Sequence, residues 1–311
     1  MKYLDIINEQ IRSVVEKTDN LVLFGQNISA GSCLGGLTKN LCVKTSSKII
    51  NSTNSENSLC GFGFGMMMNN VSSVFFMKQL DFLLLGIDHL VNTYNIIRNM
   101  KKDLQSSFTI IPIIVDNGFQ GPQSSFNNFG DICSMARIEG RTISTKFEAE
   151  KIISENICAP GFRIIGVSQR MFKDDIIELN PLTTNSDYSL IRYTKGENAT
   201  IVCFNFSLKL GLELLEKCKK EGISCSVFNV TSVTPIEWNE ILDDVKKTKN
   251  LIIIDDSKSE NLSCDNLSSY ITHQISVNTI FVKKQIKENW LDTNSDEMKL
   301  NFSEIIGQIK N

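Results

Sequence analysis

Histidine is nearly absent from this 311-residue chain, which carries only His89 and His273. Its nine cysteines never fall at C-x-x-C spacing, so neither residue type offers a zinc site. An odd, scattered set of thiols also excludes a disulfide frame and reads as buried cysteine in a reducing compartment. No apolar run approaches the roughly 18 residues that a membrane span needs. The opening "MKYLDIINEQIRSVVEKTDN" alternates apolar and charged residues at helical spacing, unlike a signal peptide. There is no block of five or six like charges, and the net charge is only −3, which argues against nucleic acid or an anionic membrane as partner. The N-x-S/T triplets carry little meaning in so Asn-rich a chain. The expected location is the cytoplasm.

What is present is the composition of a soluble globular protein, 41% hydrophobic and 22% charged, long enough for two cores. Strand-like and helix-like stretches alternate without internal repeat. "NLVLFGQ" reads as a buried strand ending at Gly25. Leu80, Leu83, Leu84, Ile87, Leu90 and Val91 recur as on the core face of one helix. "FTIIPIIVDNG" reads as another buried strand, in which Pro112 counts against a central, fully paired place. Residues 180–199 are polar and turn-rich, the composition of an interdomain linker. Beyond them "ATIVCFNF", "SLKLGLELLEKCKKEG", "ISCSVFNV", "PIEWNEILDDVKKTK" and "NLIIIDD" repeat strand and helix, with Gly222 at a helix end and Pro235 at a helix start. The expected fold is α/β: two domains, 1–180 and 190–311, each a mainly parallel sheet flanked by helices.

The stretch "STNSENSLCGFGFGMMM" (residues 52–68) holds a single acidic residue, Glu56. Gly61, Gly63 and Gly65 give G-x-G-x-G, which is not a dinucleotide fingerprint, and no Walker lysine follows. Two readings stay open on spacing. Thr53-x-x-Glu56 fits a capping box, with the glycines letting a helix pack closely. Alternatively, one carboxylate in an apolar wall has a raised pKa and can share a proton with a ring nitrogen of a bound heterocycle.

The order of Ser55-Glu56, the Gly-rich helix, Asp81-Phe82 about 25 residues on, and the Ile87–Asn92 helix end resembles the pyrimidine-binding region of thiamine diphosphate enzymes. The resemblance is to the C-terminal half of transketolase and to the beta subunits of 2-oxo-acid dehydrogenases, and it extends over roughly residues 20–255. It implies that Glu56 hydrogen-bonds N1′ of the aminopyrimidine and drives the tautomerism that removes the thiazolium C2 proton. It places Phe82 on the pyrimidine face, while Asp81 orders its own loop and His89 packs structurally.

The chain departs from that family pattern in three places. It has no Gly-Asp-Gly, its only Gly-Asp being Gly130-Asp131. The resemblance therefore implies a separate alpha-type, Gly-Asp-Gly-bearing subunit that holds Mg2+ and shares the cofactor, in an α2β2-type assembly. After the Gly-Pro turn, Gln123, Ser124 and Ser125 stand where the family places histidine; they can orient a substrate but transfer protons poorly. "IDDSKSENLSCDNLSSYI" lacks the glycine pair of the dehydrogenase beta subunits, which counts against docking to a lipoyl-transferring core. The implied function is the pyrimidine-binding subunit of a transketolase-like enzyme that transfers or joins a two-carbon or acyl unit through a C2-ylide and enamine. A pyruvate or branched-chain dehydrogenase beta subunit and a catalytically silent structural subunit are the alternatives.

Overall fold

The computed structural model describes residues 1–101, 103–116, 127–232, 237–284, 298 and 300–310. They divide into two compact units, one drawn from residues 1–117 and 132–178, the other from 118–131 and 179–311. No helix among them is long and apolar enough to cross a membrane.

The first unit is built on β1 (Leu21–Gly25), β2 (Lys48–Asn51), β3 (Ser72–Met77), β4 (Ser107–Ile114), β5 (Glu139–Thr142) and β6 (Gly161–Ser168). These six strands lie in the order β2-β1-β3-β4-β6-β5, and every pairing is parallel. The helices α1 (Tyr3–Val15), α2 (Glu56–Met68), α3 (Tyr94–Met100), α4 (Phe129–Ala136), α5 (Lys146–Glu148) and α6 (Ser154–Asn156) connect them, the last two joined by a π-helical stretch, Ala149–Ile153. From β1 the chain goes to one neighbour, β2, and then returns to the other, β3. In sheets of this kind ligands bind where the strand order reverses, which here is at the carboxyl ends of β1 and β3. Phe24, Phe64, Phe108 and Phe162 pack the core, with ring centroids 4.8–5.1 Å apart for each pair among the last three.

Two local expectations fail here. β4 is fully buried and central, despite Pro112. Its pairing with β3 includes Met77↔Pro112, while its register with β6 passes from Ile110↔Ile164 to Ile113↔Val167. The missing proline N–H is thus accommodated by a gap in one ladder. Residues 80–100 are also not one α-helix. They form a 3-10 turn (Leu80–Gly86), a π-turn (His89–Thr93) and then α3. Leu80, Leu83 and Gly86 are buried at the three-residue spacing of a 3-10 helix, whereas Leu84 is exposed.

The second unit contains β7 (Thr183–Thr184), β8 (Leu190–Thr194), β9 (Ala199–Phe204), β10 (Cys225–Val230), β11 (Asn250–Asp255) and β12 (Asn278–Lys283). Their order is β12-β11-β9-β10-β8-β7, with the first four parallel and β8 and β7 antiparallel at the edge. It also contains α7 (Leu208–Lys220), α8 (Asn239–Thr248), α9 (Asp265–Gln274) and α10 (Phe302–Lys310). Residues 183–194, read above as linker, belong to this sheet. Their polar composition makes a tight connection instead: Asn185 Oδ1 accepts from the Leu190 amide (3.1 Å), and Asp187 Oδ1 from the Ser189 amide (3.1 Å). Gly222 takes φ +73° after α7, as a helix end requires. Pro235 lies outside the described residues.

Candidate active site

Loops and helix starts at the carboxyl ends of the first unit's strands carry Glu56 and Phe82, the described residues singled out from the sequence. Gly25, ending β1, has φ +150°, and a Cβ there would stand 2.2 Å from the carbonyl oxygen of Phe76, so β1 and β3 approach closely only with glycine. The Ser52 amide donates to the Gly25 carbonyl (2.9 Å), and the Asn51 side chain ties the turn after β1, accepting from the Ser29 amide at 3.0 Å. The start of the stretch after β2 is thereby tied to the carboxyl end of β1.

Glu56 is the first residue of α2 and its only charged one, half-buried at the helix N-terminus. A negative charge there is favoured by the helix dipole, by about 0.3–1 kcal/mol. The capping box does not form: Ser55, not Thr53, precedes the helix, makes no side-chain cap bond, and donates to Ser58 Oγ at 3.0 Å. Glu56 therefore stands at the first helical position, not the third, and its carboxylate is not spent on capping. The glycines all lie within the helix, so none cradles a phosphate. A Cβ at Gly63 would fall 2.2 Å from Phe108, and one at Gly61 would fall 3.2 Å from His89 Nε2, whereas Gly65 meets nothing within 4 Å.

Phe82 is half-buried on the 3-10 turn after β3, its amide donating to the Gln79 carbonyl at 3.3 Å. Asp81 is buried beside it. This turn packs on α2. A Cβ at Gly86 would stand 2.6 Å from Cys60 Sγ and 3.4 Å from the Glu56 carbonyl oxygen. Burial, together with the Glu56 carboxylate, pushes the Cys60 thiol up to about 12, so it stays protonated at neutral pH. His89 Nδ1 lies 2.9 Å from Thr93 Oγ1, inside its own π-turn. Gln123, Ser124 and Ser125 lie outside the described residues. Cys60 and Gly86 were not singled out from sequence; the signal available was their position, each four residues after a candidate site residue.

Other polar groups at these strand ends are committed to the fold. Buried Asp116 accepts from Ser168 Oγ (2.6 Å) and the Arg170 amide (2.9 Å). Glu148 completes a capping box with Thr145 at the start of α5. In the second unit, Asp255 accepts from the amides of Ser257 (2.8 Å) and Cys264 (2.7 Å), and burial raises its pKa. Asn205 donates to Asp255, Ser257 and Ser263, giving a closed network.

The donor set at α2 and the 3-10 turn suits the pyrimidine half of thiamine diphosphate: one partly exposed carboxylate, free of capping, on a helix packed against the turn that bears one partly exposed aromatic ring. Among the described residues no three His, Cys, Asp or Glu side chains are grouped to hold a metal ion.

Residues 188–278 match the family described as transketolase, C-terminal domain. The chain is 21% identical over 269 residues to the mitochondrial pyruvate dehydrogenase E1 component subunit beta of Dictyostelium discoideum, an alignment covering 83% of this chain and 74% of that protein. It is 18% identical over 283 residues to the beta subunit of acetoin:2,6-dichlorophenolindophenol oxidoreductase of Cupriavidus necator, covering 86% and 82%. Among solved structures, a split-gene transketolase described as an inactive beta4 tetramer superposes with a TM-score of 0.68 at 11% identity, covering 98% of this chain and 96% of that one. The fold is transketolase-like, as the resemblance read from the sequence implied.

Proposed function

We propose that this chain is the pyrimidine-binding, beta-type subunit of a heteromeric thiamine diphosphate-dependent enzyme. Residues 1–180 would be its pyrimidine-binding domain and 190–311 its transketolase C-terminal-like domain. One observation carries the reading: an uncapped carboxylate, Glu56, begins an otherwise uncharged helix that packs against the turn bearing Phe82. Similarity to beta subunits over more than four-fifths of the chain supports it.

When bound, the cofactor supplies a nucleophilic carbon that adds to a carbonyl and accommodates the charge left behind. The residues of this chain bind and orient it. Glu56 would share a proton with N1′ of the aminopyrimidine, and the Phe82 ring would cover the pyrimidine face and exclude water. Mg2+ and the diphosphate fall to a Gly-Asp-Gly-bearing alpha-type subunit, in an α2β2-type assembly. The reaction is transfer of a two-carbon or acyl unit, transketolase-like in its main form. A second reading, the beta subunit of a 2-oxo-acid dehydrogenase, is favoured by the names of the relatives.

Titration calorimetry with thiamine diphosphate and Mg2+ tests this. The chain with its partner should bind at least about 100-fold more tightly than the chain alone, a difference of roughly 2.7 kcal/mol. Glu56→Gln in the complex should keep the fold and abolish exchange of the cofactor C2 proton. Tight binding by the isolated chain would overturn the shared site, and undiminished exchange would reduce Glu56 to a helix-end charge.

A further inference from the structure

The Cys60–Gly86 contact has no role in the reading above, yet it joins the two elements that carry the site. Cys60 lies one helical turn after Glu56 on α2, on the same face of the helix. Gly86 closes the 3-10 turn four residues after Phe82. Cys60 is fully buried, and its sulfur stands 2.6 Å from the place a Cβ of residue 86 would take. The Glu56 carbonyl oxygen is 3.4 Å from that same point, so the backbone of Glu56 itself borders the contact.

We propose that Cys60 and Gly86 act as a spacer that sets the separation between the Glu56 carboxylate and the Phe82 ring, with Cys60 a positioning residue for the bound aminopyrimidine. The proposal rests on the function proposed above. A thiol is larger than a methyl and smaller than an isopropyl group, and only a glycine opposite it leaves room. Held protonated beside Glu56, the thiol adds no second negative charge to the site. A methyl at position 86 would force α2 and the turn apart by about 1 Å to restore ordinary van der Waals contact, and a shift of that size at a catalytic group costs rate steeply.

The test uses the heteromeric complex with thiamine diphosphate and Mg2+, read by calorimetric affinity and by C2-proton exchange at cofactor saturation. Gly86→Ala should weaken binding by about tenfold and slow exchange by about as much. Adding Cys60→Ala to Gly86→Ala should return both to within about threefold of wild type, because removing the sulfur vacates the space the new methyl needs. Normal affinity and exchange in Gly86→Ala, or no recovery in the double variant, would overturn the proposal. If Gly86→Ala fails to assemble, Cys60→Val overfills the contact from the other side and carries the same expectation, and unchanged exchange there would sink the idea. A purely structural contact would lower the melting temperature without slowing exchange at saturation. A wild-type complex that binds no thiamine diphosphate overturns the functional reading itself. Wild-type binding with an indifferent Gly86→Ala overturns only the spacer.

Discussion

Three glycines that look alike in "GFGFG" face three different environments on α2. Gly63 is buried, with three ring carbons of Phe108 between 2.2 and 2.6 Å from where a Cβ would sit. Gly65 has open space at the same point. Gly63→Ala should therefore cost about 1–3 kcal/mol through overpacking, since the Phe108 ring is itself held by Phe64 and Phe162. Gly65→Ala should stabilise by up to about 1 kcal/mol, because alanine restricts the unfolded chain and suits a helix interior. Urea unfolding midpoints at unchanged m-value would check both, and equal effects would contradict the assigned packing. The sequence could say that such glycines permit close approach, but not which of them is approached, because that depends on where β4 lies beneath the helix. On spacing Glu56 fitted either a capping box or a free carboxylate, and the structure excludes the capping box. The helix begins at Glu56 because Ser55 is already outside it, and a difference of two residues in a helix start decides whether a carboxylate caps or is free.

At the scale of elements, strands with continuous apolar runs were legible, and the departures came where one residue type serves two structures. The leucines of residues 80–91 satisfy a helical period, yet Leu80, Leu83 and Gly86 follow a three-residue one, which only the packing against α2 selects. The polar residues of 183–194 fit a linker equally well as an edge hairpin. Beyond its ladder with β10, β8 is anchored by Arg192, whose guanidinium donates to Ser226 Oγ (2.8 Å), pairs with Asp244 of α8, and lies 4.9 Å from the Phe228 ring centroid. Asp244 is 5% exposed and also accepts from Thr200 Oγ1 at 2.8 Å. Truncating the arginine leaves that carboxylate buried without its cation, so Arg192→Ala should destabilise by about 3–5 kcal/mol. Arg192→Ala together with Asp244→Asn should lose less than the sum of the two single changes, because the second removes the stranded charge. Denaturant melts of the four proteins would measure the coupling. Additive losses would mean that β8 is held by its ladder alone.

For the whole molecule, scarcity of histidine constrains the chemistry more than any motif does. Acyl and two-carbon transfers need proton movement near neutral pH, for which histidine is the usual carrier. Both histidines are engaged locally. His89 Nδ1 meets Thr93 Oγ1 and its ring borders Gly61, while His273 Nδ1 lies 2.7 Å from the Ser269 carbonyl oxygen on α9, in the second unit. His89 sits on the π-turn that follows the 3-10 turn carrying Phe82, and its Nε2 faces Gly61 of α2. On the function proposed above, Glu56 acting through the cofactor, and not either histidine, is expected to carry the proton chemistry of this chain. Replacing both histidines with glutamine, which can keep a hydrogen bond to Thr93 and to the Ser269 carbonyl, should leave the pH profile of kcat/KM for the heteromeric enzyme in place, each limb moving by less than about 0.3 pH unit. Loss of the limb near pH 6–7 would identify one of these rings as the proton carrier, and the single variants would say which. If the profile is unchanged in the double variant while Glu56→Gln abolishes exchange of the cofactor C2 proton, the proton chemistry of this chain resides at the start of α2.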